Sequence, residues 1–102
     1  MAEAPVIVFA SFIPKAGKDR ELERVLRGMT APTRQEAGCE IYDLYKTAET
    51  PTSFHLFERY KSKAALDAHR AAEYYKAYRA AVPDLLAEPI KVLVLEGLDV
   101  RS

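Results

Sequence analysis

Residues 39–60, CEIYDLYKTAETPTSFHLFERY, decide the fold, because they hold two strand-like segments joined by a turn. Both segments, 39–46 and 53–60, are rich in aromatic and aliphatic residues, which is typical of strands. Between them, AETPT at 48–52 has the proline and small polar residues of a turn. The stretch therefore predicts an antiparallel hairpin.

Side chains alternate between the two faces of a strand, so the second segment of this hairpin divides into two sets. One face carries Phe54, Leu56, Glu58 and Tyr60. The opposite face carries Ser53, His55, Phe57 and Arg59.

The flanking sequence predicts one strand and one helix on each side of the hairpin. An apolar run at 6–13 predicts a strand, and the spacing of apolar residues in 18–29 predicts a helix, which Pro32 interrupts or kinks. After the hairpin, Ser62 is the expected N-cap of a helix over 63–82, with Glu73 or Tyr74 as the candidate point of a break. The apolar run at 90–98 predicts the last strand. The order is β-α-β-β-α-β, which predicts an α+β domain with a four-stranded antiparallel sheet and helices on one face.

The first strand has apolar side chains on both faces, with Val6, Val8 and Phe12 on one and Ile7, Phe9 and Ile13 on the other. A strand that is apolar on both faces requires a cover on each side. The helices of a chain of 102 residues cover only one side of the sheet. We therefore expect a homodimer in which two sheets pack face to face.

Composition excludes several classes of function. The 102 residues fit one domain spanning 1–102, and 15 basic residues balance 15 acidic ones without a basic block. This balance argues against a nucleic-acid or anionic-membrane partner.

The single cysteine, Cys39, cannot form an intrachain disulfide and is expected to be a core residue. The N-terminal apolar run is too short for a signal peptide or membrane span, so we expect a cytoplasmic protein.

Four stretches resemble the antibiotic biosynthesis monooxygenase family, including its small quinol-monooxygenase-like members: AGKDRELERVL (16–26), APTRQEAGCEIYDLY (31–45), PTSFHLFERYKSKAALDAH (51–69) and VPDLLAEPIKVLVLE (82–96). The resemblance implies a dimeric ferredoxin-like α+β barrel with its pocket between helices and sheet. Some relatives oxidise phenolic or quinol-like substrates without a cofactor, and others degrade haem. The haem degraders use asparagine, tryptophan and histidine where this chain has Ala10, Tyr60 and the neighbourhood of Tyr78 and Arg79. Haem degradation is therefore not expected.

The resemblance also implies which residues carry chemistry. His69 matches the first helical histidine of the family and is the expected base, although a half-buried imidazole bonded to a backbone carbonyl is the alternative. Tyr74 or Tyr75 occupies the place of a second histidine found in many members. Tyr60 and Tyr74 are the expected hydrogen-bond donors to a bound phenolate. The expected substrate-binding residues are Phe54, Leu56, Glu58 and Ala10.

Two functions are consistent with this sequence. A deprotonated quinol or polyphenol can give an electron directly to dioxygen, so a monooxygenase acting on it requires a base and a dry pocket but no flavin, metal or other cofactor. The two histidines, His55 and His69, are fourteen positions apart on elements that face opposite ways, which does not predict a metal site. The alternative function is a non-catalytic dimeric domain that binds a small aromatic compound.

Overall fold

A computed structural model of the chain describes residues 4–101 and contains one four-stranded sheet. The strands are β1 (Val6–Phe12), β2 (Cys39–Lys46), β3 (Phe54–Tyr60) and β4 (Lys91–Leu95). The helices are α1 (Asp19–Arg27), α2 (Thr30–Arg34), α3 (Lys63–Ala71) and α4 (Glu73–Ala81), followed by a 3₁₀ helix (Val82–Leu85). The predicted β-α-β-β-α-β order is confirmed, with each predicted helix divided into two.

The strands are arranged in the order β2-β3-β1-β4, and every neighbouring pair is antiparallel. In β3 every second residue is buried, beginning with Phe54 and ending with Tyr60. The helices cover this inner face, so the ferredoxin-like fold with helices on one face is confirmed. Among the described residues, no helix is long and apolar enough to cross a membrane.

A β-bulge at the start of β2 sets which of its side chains face the helices. Cys39 pairs with Tyr60, and Ile41 pairs with Arg59, the residue before Tyr60 in β3. Glu40 is therefore the extra residue of the bulge. The bulge changes the alternation, and Tyr42 therefore points inward, where it is 2% exposed.

Burial raises the pKa of the Cys39 thiol to about 11, so the thiol stays protonated at neutral pH. A protonated thiol agrees with the packing role expected for Cys39.

The predicted interruption at Pro32 is wrong in position. The first helix ends at Arg27, and Pro32 lies in the first turn of α2, where a backbone N–H would have no helical partner. The second helix breaks at Ala72, whose extended backbone (φ −68°, ψ 143°) separates α3 from α4. This break lies one residue before the expected one. The last strand ends at Leu95 rather than at residue 98.

Two contacts stabilise the first turn of α3. The Ser62 hydroxyl accepts a hydrogen bond from the backbone N–H of Ala65 at 3.2 Å, which confirms the predicted N-cap. Gly38 lies directly against the same helix, because a Cβ placed on it would be 2.4 Å from the Cβ of Ala65. Small side chains on α3 therefore serve close packing at this point.

Replacing Gly38 with alanine is expected to lower the free energy of unfolding by about 1–3 kcal/mol, because the new methyl group overlaps Ala65. Urea denaturation followed by circular dichroism measures the change. Gly28→Ala is the comparison variant, since its Cβ would meet the carbonyl oxygen of Val25 at 3.3 Å, a much smaller overlap. The double variant with Ala65→Gly should recover part of the loss. Equal stabilities of both glycine variants would contradict the packing argument.

Candidate active site

His69 lies in the last turn of α3 and is 2% exposed. Leu66 precedes it by three residues and is also buried, so this face of the helix packs onto the sheet. Four aromatic rings surround the imidazole, with centroids 4.9 to 6.4 Å away: Tyr42, Tyr60, Tyr74 and Tyr75. The imidazole therefore lies in an aromatic enclosure between helix and sheet.

One carboxylate oxygen orients this imidazole. Glu36 Oε2 is 2.8 Å from His69 Nδ1, and the same oxygen accepts a hydrogen bond from the Tyr74 hydroxyl. A carboxylate accepts hydrogen bonds, so Nδ1 carries a proton and the neutral ring has its lone pair on Nε2. Within the described residues, no protein group forms a hydrogen bond with Nε2. The ring nitrogen suited to accept a proton is thus unused.

A second carboxyl group lies on the sheet side of the site. The Tyr60 hydroxyl donates a hydrogen bond to Glu58 Oε1 at 2.6 Å, and both side chains are buried. Burial raises the pKa of Glu58 above its ordinary value, although the hydrogen bond from Tyr60 opposes the shift. Burial, followed by the nearby Glu58, also raises the pKa of the Tyr60 phenol. Burial, and not the hydrogen bond from Tyr60, thus shifts this carboxyl group toward its protonated form.

A cavity of about 20 Å³ lies between α3, α4 and the sheet. Such a volume holds about one water molecule, whereas a benzene-sized ligand fits a cavity on the order of 150 Å³. The cavity is lined by Val8, Ala10, Tyr42, Glu58, His69, Arg70, Tyr75, Tyr78, Arg79 and Val92. Side chains must therefore move before an aromatic ring can enter.

The structure places the expected site residues in three groups. Ala10, Glu58 and His69 line the cavity. Tyr60 and Tyr74 do not line it, and their hydroxyls donate to Glu58 and Glu36 respectively. The remaining two are part of the core: Leu56 is buried, and Phe54 lines a separate groove beside α1 and β2.

Several residues of the site were not identified from the sequence. Glu36 follows α2 in a polar stretch with no motif that signals its contact with His69. Tyr75 was the alternative to Tyr74 at the place of a second family histidine, and it is Tyr75 that lines the cavity. The other lining residues that were not expected are Val8, Tyr42, Arg70, Tyr78, Arg79 and Val92. Within residues 4–101, no three His, Cys, Asp or Glu side chains are grouped as metal ligands.

Comparison with known proteins agrees with this architecture. The sequence model of the family described as antibiotic biosynthesis monooxygenase matches residues 5–81. A Mycobacterium tuberculosis protein with the name "Putative monooxygenase Rv0793" is 46% identical over 99 residues, covering 97% of each chain. The solved structure of Rv0793 covers 97% of this chain and 100% of its own with a TM-score of 0.91. PA3566 from Pseudomonas aeruginosa, 30% identical, covers 97% and 99% with a TM-score of 0.88. The resemblance seen in the sequence is therefore confirmed, and the chain belongs to the antibiotic biosynthesis monooxygenase family.

Proposed function

We propose that this chain is a cofactor-independent monooxygenase that oxidises a quinol or polyphenol with dioxygen. The observation that carries the proposal is His69, buried beside the cavity with Nδ1 bound to Glu36 and with Nε2 unused. A carboxylate that fixes the tautomer of an imidazole also stabilises the imidazolium that forms when it accepts a proton. His69 is accordingly the base that deprotonates the phenolic hydroxyl.

The reaction needs no further oxidant or reductant. For hydroquinone, removal of a phenolic proton gives a phenolate, which transfers one electron to dioxygen. Recombination of the two radicals forms a C–O bond and a ring hydroperoxide. Loss of the ring proton and cleavage of the O–O bond then release water. One hydroquinone and one dioxygen give one hydroxybenzoquinone and one water, so the substrate supplies all four electrons.

The cavity provides surroundings that suit this chemistry. Three of its ten lining residues are tyrosines and three more are aliphatic, and such side chains limit the access of water to the reactive radical pair. The phenols of Tyr60 and Tyr74 already donate to carboxyl groups of the protein, so we assign them to positioning rather than to direct contact with the substrate. The sequence had predicted that these two hydroxyls donate hydrogen bonds directly to a bound phenolate.

Oxygen uptake with a panel of hydroquinones and polyphenols tests the proposal. The expected result is uptake above the autoxidation rate, unchanged by added catalase, together with a hydroxylated quinone product. Autoxidation instead gives the unhydroxylated quinone and hydrogen peroxide, from which catalase returns half of the oxygen. A protein that binds these compounds without extra uptake would belong to the alternative class, a non-catalytic domain for small aromatic compounds.

We also propose that the chain acts as a homodimer through the outer face of its sheet, the face opposite the helices. Phe9 lies at its centre, paired in register with Phe57 on one side and Leu93 on the other. Leu93 is 49% exposed and Leu95 is 41% exposed. A second copy of the sheet would remove this apolar surface from water.

A further inference from the structure

Two arginines lie on the rim of the His69 cavity. Arg70 ends the buried turn of α3, Arg79 lies on α4, and both side chains line the cavity although both residues are exposed. Arg79 Nη1 donates a hydrogen bond to the Tyr75 hydroxyl at 2.8 Å, and its guanidinium carbon lies 5.8 Å from the centre of that ring. The two arginine side chains thus line the cavity from exposed positions on α3 and α4.

Neither guanidinium is matched by a carboxylate. In the part of the chain that the structure describes, none of the ion pairs includes Arg70 or Arg79. Other arginines on the helices and sheet do pair, such as Arg34 with Asp43 and Arg59 with Glu40. The rim therefore has positive charge without a fixed counter-ion.

The interior of the site supplies at most one counter-ion for the two guanidinium groups. Among the described residues, Glu58 is the one carboxyl group that lines the cavity, and it also accepts the hydrogen bond of Tyr60. Burial raises the pKa of Glu58, and the nearby charge of Arg70 opposes that shift. Glu36, the other acidic residue of the site, bonds the far nitrogen of the imidazole and does not line the cavity. A ligand with a negative charge would balance the rim.

We propose that the substrate is an aromatic diphenol bearing a carboxylate, which Arg70 and Arg79 hold at the rim while the diphenol ring reaches His69. This inference rests on the proposed function and names the substrate class of the same site. Guanidinium groups bind carboxylates through paired, charge-assisted hydrogen bonds, so the two arginines select the acid over its uncharged analogue. When Arg79 turns to the carboxylate it leaves the Tyr75 hydroxyl, and Tyr75 is then free to make room for the ring.

Anaerobic calorimetric titration tests the selection without any oxidation. The probes are 2,5-dihydroxybenzoate, its methyl ester and hydroquinone, which separate the effect of charge from that of size. The wild-type protein is expected to bind 2,5-dihydroxybenzoate roughly 10- to 100-fold more tightly than either neutral probe. The double variant Arg70→Gln/Arg79→Gln should lose this preference and bind hydroquinone with less than about threefold change. Glutamine retains helix propensity, and it removes both charges and the hydrogen bond from Arg79 to Tyr75, which hydroquinone does not need.

Arg24→Gln is the matched control, since Arg24 is an exposed arginine on α1 away from the cavity. It should bind all three probes as the wild type does. Equal affinity of the wild type for the acid and its ester, no measurable binding of the acid, or a preference that survives in the double variant would each overturn the inference. Selective binding without oxygen uptake would instead overturn only the proposed function, and uptake without selectivity would overturn only this inference.

Discussion

Replacing His69 with alanine is expected to lower the turnover of a quinol by roughly 10²–10⁴-fold, the contribution of a positioned general base. The reason is that Nε2 of His69 forms no hydrogen bond within the described residues and is therefore available to accept a proton. The other titratable groups of the site already form hydrogen bonds with one another. The hydroxyls of Tyr60 and Tyr74 donate hydrogen bonds to carboxyl groups of the protein. The remaining carboxyl group, Glu58, already accepts the hydrogen bond of Tyr60 at 2.6 Å.

Steady-state oxygen uptake by both proteins, at several substrate concentrations, measures this loss. The fall should lie in kcat more than in KM, since the imidazole acts on the transferred proton. Added imidazole should restore part of the rate, because removal of the ring leaves space for it. His55→Gln is the control for loss of a histidine, as His55 stacks on Phe9 at 5.6 Å on the outer face of the sheet. Full activity of the His69 variant would remove it from the mechanism.

Glu36→Gln distinguishes positioning from proton transfer in the same assay. In the native protein, His69 and Tyr74 both donate to one charged oxygen of Glu36. Glutamine keeps the shape of the side chain but offers these two donors an uncharged carbonyl oxygen. The rate should fall less than in His69→Ala, and added imidazole should not restore it, because the native ring still fills its place.

The fold was accessible from sequence because local signals agree with one another. Alternation in 54–60 identified the inner face of β3, and the Ser62 cap located the start of α3. These features depend on neighbouring residues, which a single sequence displays directly. His69 also belongs to this group, since it shares the buried face of α3 with Leu66.

The rest of the site depends on backbone irregularities that periodicity does not reveal. The bulge in β2 turns Tyr42 inward, and regular alternation from Cys39 would have turned it outward. The extended backbone of Ala72 changes the direction of the helix, and α4 begins beyond it at Glu73, which is exposed. Arg79 is brought to the cavity by α4 beyond that break.

Glu36 illustrates a second limit. Its contact with His69 joins residues 33 positions apart, and neither residue type signals the other. The chain between them includes the whole hairpin, so the contact depends on how the hairpin and α3 pack together. A pairwise contact of this kind follows from the tertiary structure and not from local pattern.

Replacing Phe9 with aspartate is expected to convert a dimer into a monomer at micromolar concentration. In the separate chain the outer face of the sheet meets water, so a carboxylate there stays hydrated. In a sheet-to-sheet dimer the same carboxylate would be buried without a partner, at a cost of several kcal/mol for each copy. Phe9 lies between Phe57 and Leu93 in the register, so the charge would enter the centre of the contact.

Light scattering after size-exclusion chromatography, with circular dichroism as a check of folding, measures this change. Leu93→Asp serves as a second variant that spares the fold, because Leu93 is already 49% exposed on β4. Ala64→Asp, on the exposed side of α3, adds the same charge to the helical side and should remain dimeric. A wild-type monomer, or a dimer that tolerates aspartate at both positions, would show that this face is not the contact between copies.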